Sequence, residues 1–558
     1  MISVNWPVPK FFECLRGYTR STFAADFIAG LTVGLVALPL AMAFGIASGV
    51  TPQAGIYTAI LGGFLVAILG GSKIQVSGPT GAFVVIVSGI IAKFGISGLH
   101  IVTMMAGVIL VFLGLTGLGT AIKFIPRPIV IGFTNGIAVL IASTQVKDFF
   151  GLTMTSVPSE FLLKLKAYAT DFHTLSWQAL AMASFSLVII LFVPKLNRRI
   201  PGAIVALVAG TVAMALWKLP IETIGSKFGG IPAGLPAFEI PVFRPDLILP
   251  LLPSALTVAI LSALESLLSA VVSDGMIGDR HNSGAELVGQ GVANLFVPLV
   301  GGIPVTGAIA RTATNFKAGA KTPVAAIVHA FVLLSVILVF APLAKFVPLA
   351  TLSAVMLVVA YNMGEWREIP GILKLSVSEI SVWLITFVLT VVADLTLAVE
   401  IGMALAALLY IYRISQTTTV GLVTPDYIDR GRQHILQDKP LPEYVSILRI
   451  HGPFLFGTTD KLEEETEDIS KFAEIVVLRL RNMTAIDATG LHAIERLSGR
   501  LKTSGRTVLL CGARNQPREF IRSSELMDRI GEENVLEHVE AALIRARELH
   551  EQHAGFGG

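Results

Sequence analysis

The chain has 558 residues, 53% hydrophobic and only 15% charged, with a mean hydropathy of +0.74 and a formal charge of +3. Soluble proteins carry about 25% charged residues, so this composition excludes a string of soluble domains. The near-neutral balance, with no basic stripe interleaved with aromatics, argues against a nucleic-acid partner, and two distant cysteines, Cys14 and Cys511, supply neither a disulfide framework nor a metal cluster.

Charge is spread unevenly. Residues 441–558 hold 34 charged residues, or 29%, whereas residues 1–440 hold 47, or 11%. This predicts a membrane part of about 440 residues and a soluble tail. The expected domains are an N-terminal cytoplasmic segment 1–25, a transmembrane domain 26–415, a linker 416–440, an α/β domain 441–550 and a tail 551–558. The first 25 residues lack the compact apolar run and cleavage site of a signal peptide.

A membrane helix needs about 20 apolar residues. In chain order the candidates are 26–48, 53–71, 98–119, 128–147, 175–194, 200–217, 249–273, 284–300, 323–343, 347–361, 378–394 and 396–413. Two more, 79–92 and 305–318, are too short to span alone. Each follows a Gly/Pro-rich stretch: Ser77-Gly78-Pro79 and Gly301-Gly302-Ile303-Pro304. The predicted class is an α-helical polytopic membrane protein of 14 segments. Lys10, Arg16, Arg20, Lys73, Lys195, Arg280 and Lys321 crowd the loops on the N-terminal side, which predicts a cytoplasmic N-terminus in the plasma (inner) membrane. An even number of segments puts the tail on that side too.

The short segments share Thr80-Gly81-Ala82 and Thr306-Gly307-Ala308. They are the third and tenth of 14. Seven is odd, so the second copy is inverted, giving a seven-plus-seven repeat with two half-helices. Such broken helices mark transporter binding sites. A half-helix N-terminus has free N–H groups and a partial positive charge, which favour an anion. Thr80 and Thr306 can cap their helices or contact a ligand. Gly81 and Gly307 allow close backbone approach. Arg311 lies about one turn inside the tenth segment, where a charge is costly and a functional role is the default, an ion pair being the alternative. Glu265, within the eighth segment, is the acid that could couple transport to H⁺ or Na⁺; Ser269 is four residues on, on the same face. Glu286 and Glu400 are nearer segment ends and expected to snorkel or pack, and Asp394 to cap a helix.

In the tail, Val445–Ile450, Ile475–Leu480 and Thr507–Cys511 read as strands. Helices are expected after Thr459-Asp460, from about 488 and after Asn515. Alternation predicts a largely parallel sheet. No GxGxxG or Walker A sequence appears, and Ala320-Lys321-Thr322 lacks the Gly before the Lys. The tail is expected to be regulatory or assembly-related, and the protein not an enzyme.

The run Asp26–Phe44, then Ser77-Gly78-Pro79-Thr80, then Ile303–Asn315 resembles the sulfate-permease (SulP) family of anion transporters. Ile486-Asp487-Ala488-Thr489-Gly490-Leu491 is similar to the loop of STAS domains, the cytoplasmic tail of that family. The resemblance covers about 15–550. It implies a mobile core and a gate domain, usually in a homodimer. It also implies an anion site on Thr80, Gly81, Ala82, Thr306, Gly307 and Ala308, near Arg311 and lined by Phe44. Glu265 matches the acid of a Na⁺ site in bicarbonate-transporting members, with Ser269 in place of a hydroxyl ligand. Many members carry Gln where this chain has Leu40. Thr489, beside Asp487, stands where single-domain relatives of the tail are phosphorylated, and the tail could take a cytosolic protein partner.

The expected function is secondary active transport of a small inorganic or organic anion (sulfate, bicarbonate or a dicarboxylate), by H⁺ symport with an elevator-type mechanism. No cofactor or metal is expected beyond a coupling H⁺ or Na⁺; Glu rather than Asp at 265 leans towards H⁺. The alternatives are a Na⁺-coupled bicarbonate symporter and an uncoupled exchanger or channel on the same fold. A nucleobase transporter fits poorly with Arg311 and the STAS-like tail.

Overall fold

The computed structural model describes residues 8–117, 126–197 apart from 155, 156 and 159, 201–231, 234, 238, 241, 245–393, 395–423 and 441–555, with only the backbone for 395–400 and 554–555. It divides into two compact units, Met1–Ala404 and Leu405–Gly558.

In the first unit, a short α1 (Lys10–Leu15) precedes α2 (Arg20–Ala47). The Thr19 hydroxyl accepts from Thr22 N at 3.2 Å and starts α2 six residues earlier than apolarity alone suggests. α3 (Pro52–Leu69) contains a π turn at Thr58–Gly62. α4 (Gly81–Thr116) is broken at Gly95, whose φ of +70° ends a half-helix and starts a second span. There follow α5 (Arg127–Phe150), the short α6 (Phe161–Asp171), α7 (Trp177–Leu196) and α8 (Gly202–Trp217). The second half comprises α9 (Ile248–Ile277), α10 (Ser283–Phe296), the half-helix α11 (Ile309–Lys317), α12 (Val324–Ala344), α13 (Leu349–Met363), α14 (Val377–Val392) and α15 (Leu395–Thr417). Among the described residues, seven helices are long and apolar enough to cross a membrane: α2, α3, α4, α5, α7, α9 and α12; α8, α13 and α14 are shorter apolar helices.

With α4 counted as two, and α1, α6 and the short helices Ile224–Phe228 and Ile369–Ile372 set aside, the described helices number seven in each half. Their packing repeats. α2 lies on α12 as α9 lies on α4; α10 lies on α4 as α12 lies on α3; α5 lies on α14 as α13 lies on α7. Each pair maps onto its counterpart by a shift of seven segments. Small residues allow the closest contacts. A methyl on Gly107 of α4 would lie 2.7 Å from Gly291 O of α10, and one on Gly291 would lie 2.7 Å from Gly107 O.

In the second unit, β3 (Thr419–Leu422), β4 (Val445–Phe454), β5 (Ile475–Ile486), β6 (Thr507–Cys511) and β7 (Val535–Leu536) form one sheet in chain order. β3 is antiparallel to β4 and the rest are parallel. Period-2 alternation sends Leu448, Ile450, Val476, Leu478, Val508 and Leu510 to one face. There they meet α16 (Asp460–Glu465), α17 (Ala488–Thr503), α18 (Asn515–Arg522) and α19 (Leu526–Ile530). Val445, Ile447, Ile475, Val477, Leu509 and Cys511 face the other way, onto α20 (Val539–Gly555). Five strands stand where three were expected. β3 occupies part of the expected linker 416–440, of which 424–440 lies outside the described residues, and α20 runs into the expected tail 551–558.

Candidate transport site

Two extended stretches, 70–80 and 301–308, cross inside the first unit. They touch through a two-residue antiparallel pair, β1 (Ser77–Gly78) with β2 (Thr306–Gly307). Ser77 faces Gly307 and Gly78 faces Thr306. The half-helices α4 and α11 start from this crossing, so Thr80, Gly81 and Ala82 and Thr306, Gly307 and Ala308 are brought together.

Neither hydroxyl caps its helix. Thr80 occupies the N-cap position of α4 without capping it, and its Oγ1 donates to Glu265 Oε2 at 2.8 Å. Thr306 is fully buried; its hydroxyl donates to Ser262 O at 2.9 Å and is 2.9 Å from Ser266 Oγ. Two N–H groups near the start of α11 are occupied: Gly307 N by Ser266 Oγ at 3.0 Å, Ala308 N by Val76 O at 3.0 Å. Ile309 and Ala310, in the first turn of α11, are exposed.

The serines of α9 explain this arrangement. Ser262, Ser266, Ser269 and Ser273 recur at helical spacing along one stripe and bond Val305 O, Thr306, Thr312 and Ser72 in turn. Ser269 therefore bonds Thr312 Oγ1 at 3.2 Å and serves the crossing, while Glu265 on the adjoining face receives Thr80. The hydroxyl bonded to Glu265 is thus that of Thr80, while Ser269, the hydroxyl four residues on, is bonded to Thr312.

Arg311 is 2% exposed. Its Nη2 donates to Pro79 O, and its Nη1 is buried without a hydrogen-bond partner. It lies against Gly78, which also packs on Ala59 in the π turn of α3. Among the described residues it makes no contact ion pair with Glu265. His329 of α12 is fully buried with both ring nitrogens unpartnered among the described residues, and it packs near Gly63, just after the same π turn.

Gly81 sits on a seam. A methyl there would lie 3.3 Å from Phe44 Cε1, 3.1 Å from Ile141 Cδ1 of α5 and 2.9 Å from Met363 Sδ of α13. Phe44 of α2 thus abuts the half-helix, and α2, α5 and α13 converge on it at this point. Towards the Gly95 end of the α4 half-helix, a cavity of about 380 Å³ opens between Ser88, Lys93, Thr144, Glu160, Lys164 and Ser254.

Glu286 was expected to snorkel or pack near a helix end. It packs: it is 1% exposed and the hub of the crossing. Oε2 accepts from Gly71 N at 3.0 Å; Oε1 accepts from Gln75 Nε2 at 2.8 Å and Gln290 Nε2 at 2.9 Å. Asn294 bonds both Val305 N and Val305 O at 2.9 Å, and Asn315 Nδ2 donates to Ile74 O at 2.8 Å. These side chains satisfy extended backbone that has no regular partner in the membrane. The spacing of Glu286, Gln290 and Asn294, every fourth residue along α10, is a polar stripe that could have revealed this role. Asp394 lies outside the described residues, as does the side chain of Glu400.

In the tail, Asp487 Oδ1 accepts from Gly490 N at 2.8 Å and caps α17; Oδ2 accepts from Phe456 N at 2.9 Å. Thr489 is exposed in the first turn.

Broken half-helices crossing at a polar knot, a repeat of seven, and a parallel α/β tail define a multi-pass membrane transporter. The sulfate permease family model matches residues 23–386 and the STAS domain model residues 438–542. A putative sulfate transporter of Bacillus subtilis, YvdB, is 40% identical over 531 residues, covering 95% of this chain and 99% of that one. The bicarbonate transporter BicA of Picosynechococcus is 32% identical, covering 93% and 94%. The SLC26A9 structure overlays with a TM-score of 0.85 at 18% identity, over 97% and 93% of the two chains. The BicA transmembrane domain overlays with a TM-score of 0.63 at 32% identity, over 68% of this chain and 98% of that one. The chain belongs to the sulfate permease family and carries a C-terminal STAS domain.

Proposed function

We propose that the protein is a secondary active transporter of a small oxyanion, sulfate or bicarbonate, driven by H⁺. The Thr80–Glu265 hydrogen bond carries this reading. It joins the N-cap residue of a substrate half-helix to an acid on a transmembrane helix, so the protonation state of Glu265 is felt where the anion docks. Thr80, Gly81, Ala82, Thr306, Gly307, Ala308 and Phe44 surround that place in the proposal. Arg311 contributes positive potential through Nη1, and Lys93 and Lys164 draw anions into the neighbouring cavity. Engagement of Ser269 by Thr312 favours H⁺ over Na⁺, because it removes a hydroxyl from the acid.

The helices on either side of the Gly81 seam move past each other in an elevator-type cycle. The protein works as a homodimer in the plasma membrane, both termini cytoplasmic. Exposed Thr489 is the modification point of the STAS domain, which receives a cytosolic partner.

The test is uptake into proteoliposomes of radiolabelled sulfate, bicarbonate and succinate under imposed H⁺ or Na⁺ gradients. Accumulation of an oxyanion under the H⁺ gradient alone is expected. Accumulation only with Na⁺, or equal fluxes with no gradient, would overturn the coupling assignment.

A further inference from the structure

An open α/β sheet forms a ligand crevice where the connections leaving two neighbouring strands pass to opposite faces, at the carboxyl ends of those strands. The STAS domain has one such place. After β6 the chain turns into α18 on one face; after β7 it turns into α20 on the other. Gly512, with φ +79°, makes the first turn and donates to Leu536 O at 3.0 Å, so the two loops part from a fixed point. A cavity of about 150 Å³ opens there.

Its walls are cationic. Arg514, Arg518 and Arg522 recur every fourth residue and all three line the cavity, with His538 from the loop after β7. Arg518 is held by Glu537, which also lines the cavity, at 3.0 Å. Arg514 and Arg522 have no ion-pair partner among the described residues. One carboxylate thus faces three guanidinium groups. Guanidinium forks match tetrahedral oxyanions with paired hydrogen bonds. The volume suits a single such group and is too small for a nucleoside.

We propose that this crevice binds a small tetrahedral oxyanion, sulfate or inorganic phosphate, between Arg514, Arg522 and the loop after β6. The tail is then a receptor for the ion, and this inference stands apart from the transport assignment.

Cys511 lines the same cavity and is 1% exposed. Burial pushes its thiol up to about 12, so a thiol reagent reaches it only through local opening. A ligand that binds the closed form alone slows labelling by a factor of one plus its concentration over Kd, about elevenfold at ten times Kd. The experiment is maleimide labelling of Cys511 in the full-length Cys14→Ser protein, with sodium sulfate, sodium phosphate or sodium chloride at matched ionic strength.

Slowing by sulfate, phosphate or both, and not by chloride, is expected; which one protects identifies the ion. The double variant Arg514→Gln/Arg522→Gln should lose the protection and keep the unliganded rate. If that variant labels at the denatured rate, the two single variants decide, each being expected to weaken protection. Equal rates in all three salts, or full protection retained by the folded variants, would overturn the site.

Discussion

The two half-helix glycines should respond differently to the same added methyl. At Gly307 the methyl collides with the Gln75 amide and lies 3.0 Å from Ser266 Cα. Gln75 cannot yield freely, because its Nε2 is bound to Glu286 Oε1 at 2.8 Å. Overpacking costs about 1–3 kcal/mol. A lost hydrogen bond to a buried carboxylate adds about 1.5–3 kcal/mol, so Gly307→Ala should lose roughly 3–6 kcal/mol. At Gly81 the nearest atoms are the tips of Met363 and Ile141, at 2.9 and 3.1 Å. Both can rotate, and Ala gains up to about 1 kcal/mol of helix propensity over Gly. Gly81→Ala should therefore fold with near wild-type stability and lose uptake, because its methyl fills the seam beside Phe44. Thermal unfolding of the purified proteins, paired with anion uptake in liposomes, checks both halves. A Gly307→Ala protein as stable as wild type, or a Gly81→Ala protein less stable than Gly307→Ala, would refute this reading of the crossing.

Glu286→Ala should cost several kcal/mol and show as lost folded yield, since it strands the Gln75 and Gln290 amides and Gly71 N; Glu286→Gln keeps one acceptor and should be milder. In the tail, Glu474 accepts from His553 Nδ1 at 2.6 Å and His550 Nδ1 at 2.7 Å, which hold its carboxyl below the usual range. A lowered folded pKa stabilises above the unfolded value near 4.5 and is lost as pH falls through the folded one. Release of α20, followed by limited proteolysis, should thus be slower in wild type than in Glu474→Gln above about pH 4.5, and the difference should disappear as pH falls below that range. A fragment 415–558 should be monodisperse, while 441–558 lacks β3, bares the edge of β4 and should aggregate; size-exclusion chromatography separates these outcomes.

Much of this fold is legible because membrane spans leave long apolar runs and the two half-helices announce themselves by Gly and Pro. The gap left between 92 and 98 coincides with the break at Gly95. The crossing itself was less legible. Glu286 sits on a stripe of polar residues in α10, yet hydropathy weighs segments as wholes and treats a terminal acid as a snorkelling one. Helix spacing ranks only neighbours on the same helix, so the bond of Glu265 to Thr80, which arrives from 185 residues away, was not legible. β3 and β7 are four and two residues long. Such short strands carry too little alternation to register, and only pairing with β4 and β6 defines them.

The central claim is that Glu265 exchanges the coupling proton and reports it to the anion through Thr80. Glu265→Gln holds the site permanently in its neutral form, and its amide can still accept the Thr80 hydrogen bond. Accumulation of labelled anion under a pH gradient should vanish in a protein that stays folded, while anion exchange at equal concentrations on both sides persists. Wild-type accumulation by a stable Glu265→Gln protein would contradict the account.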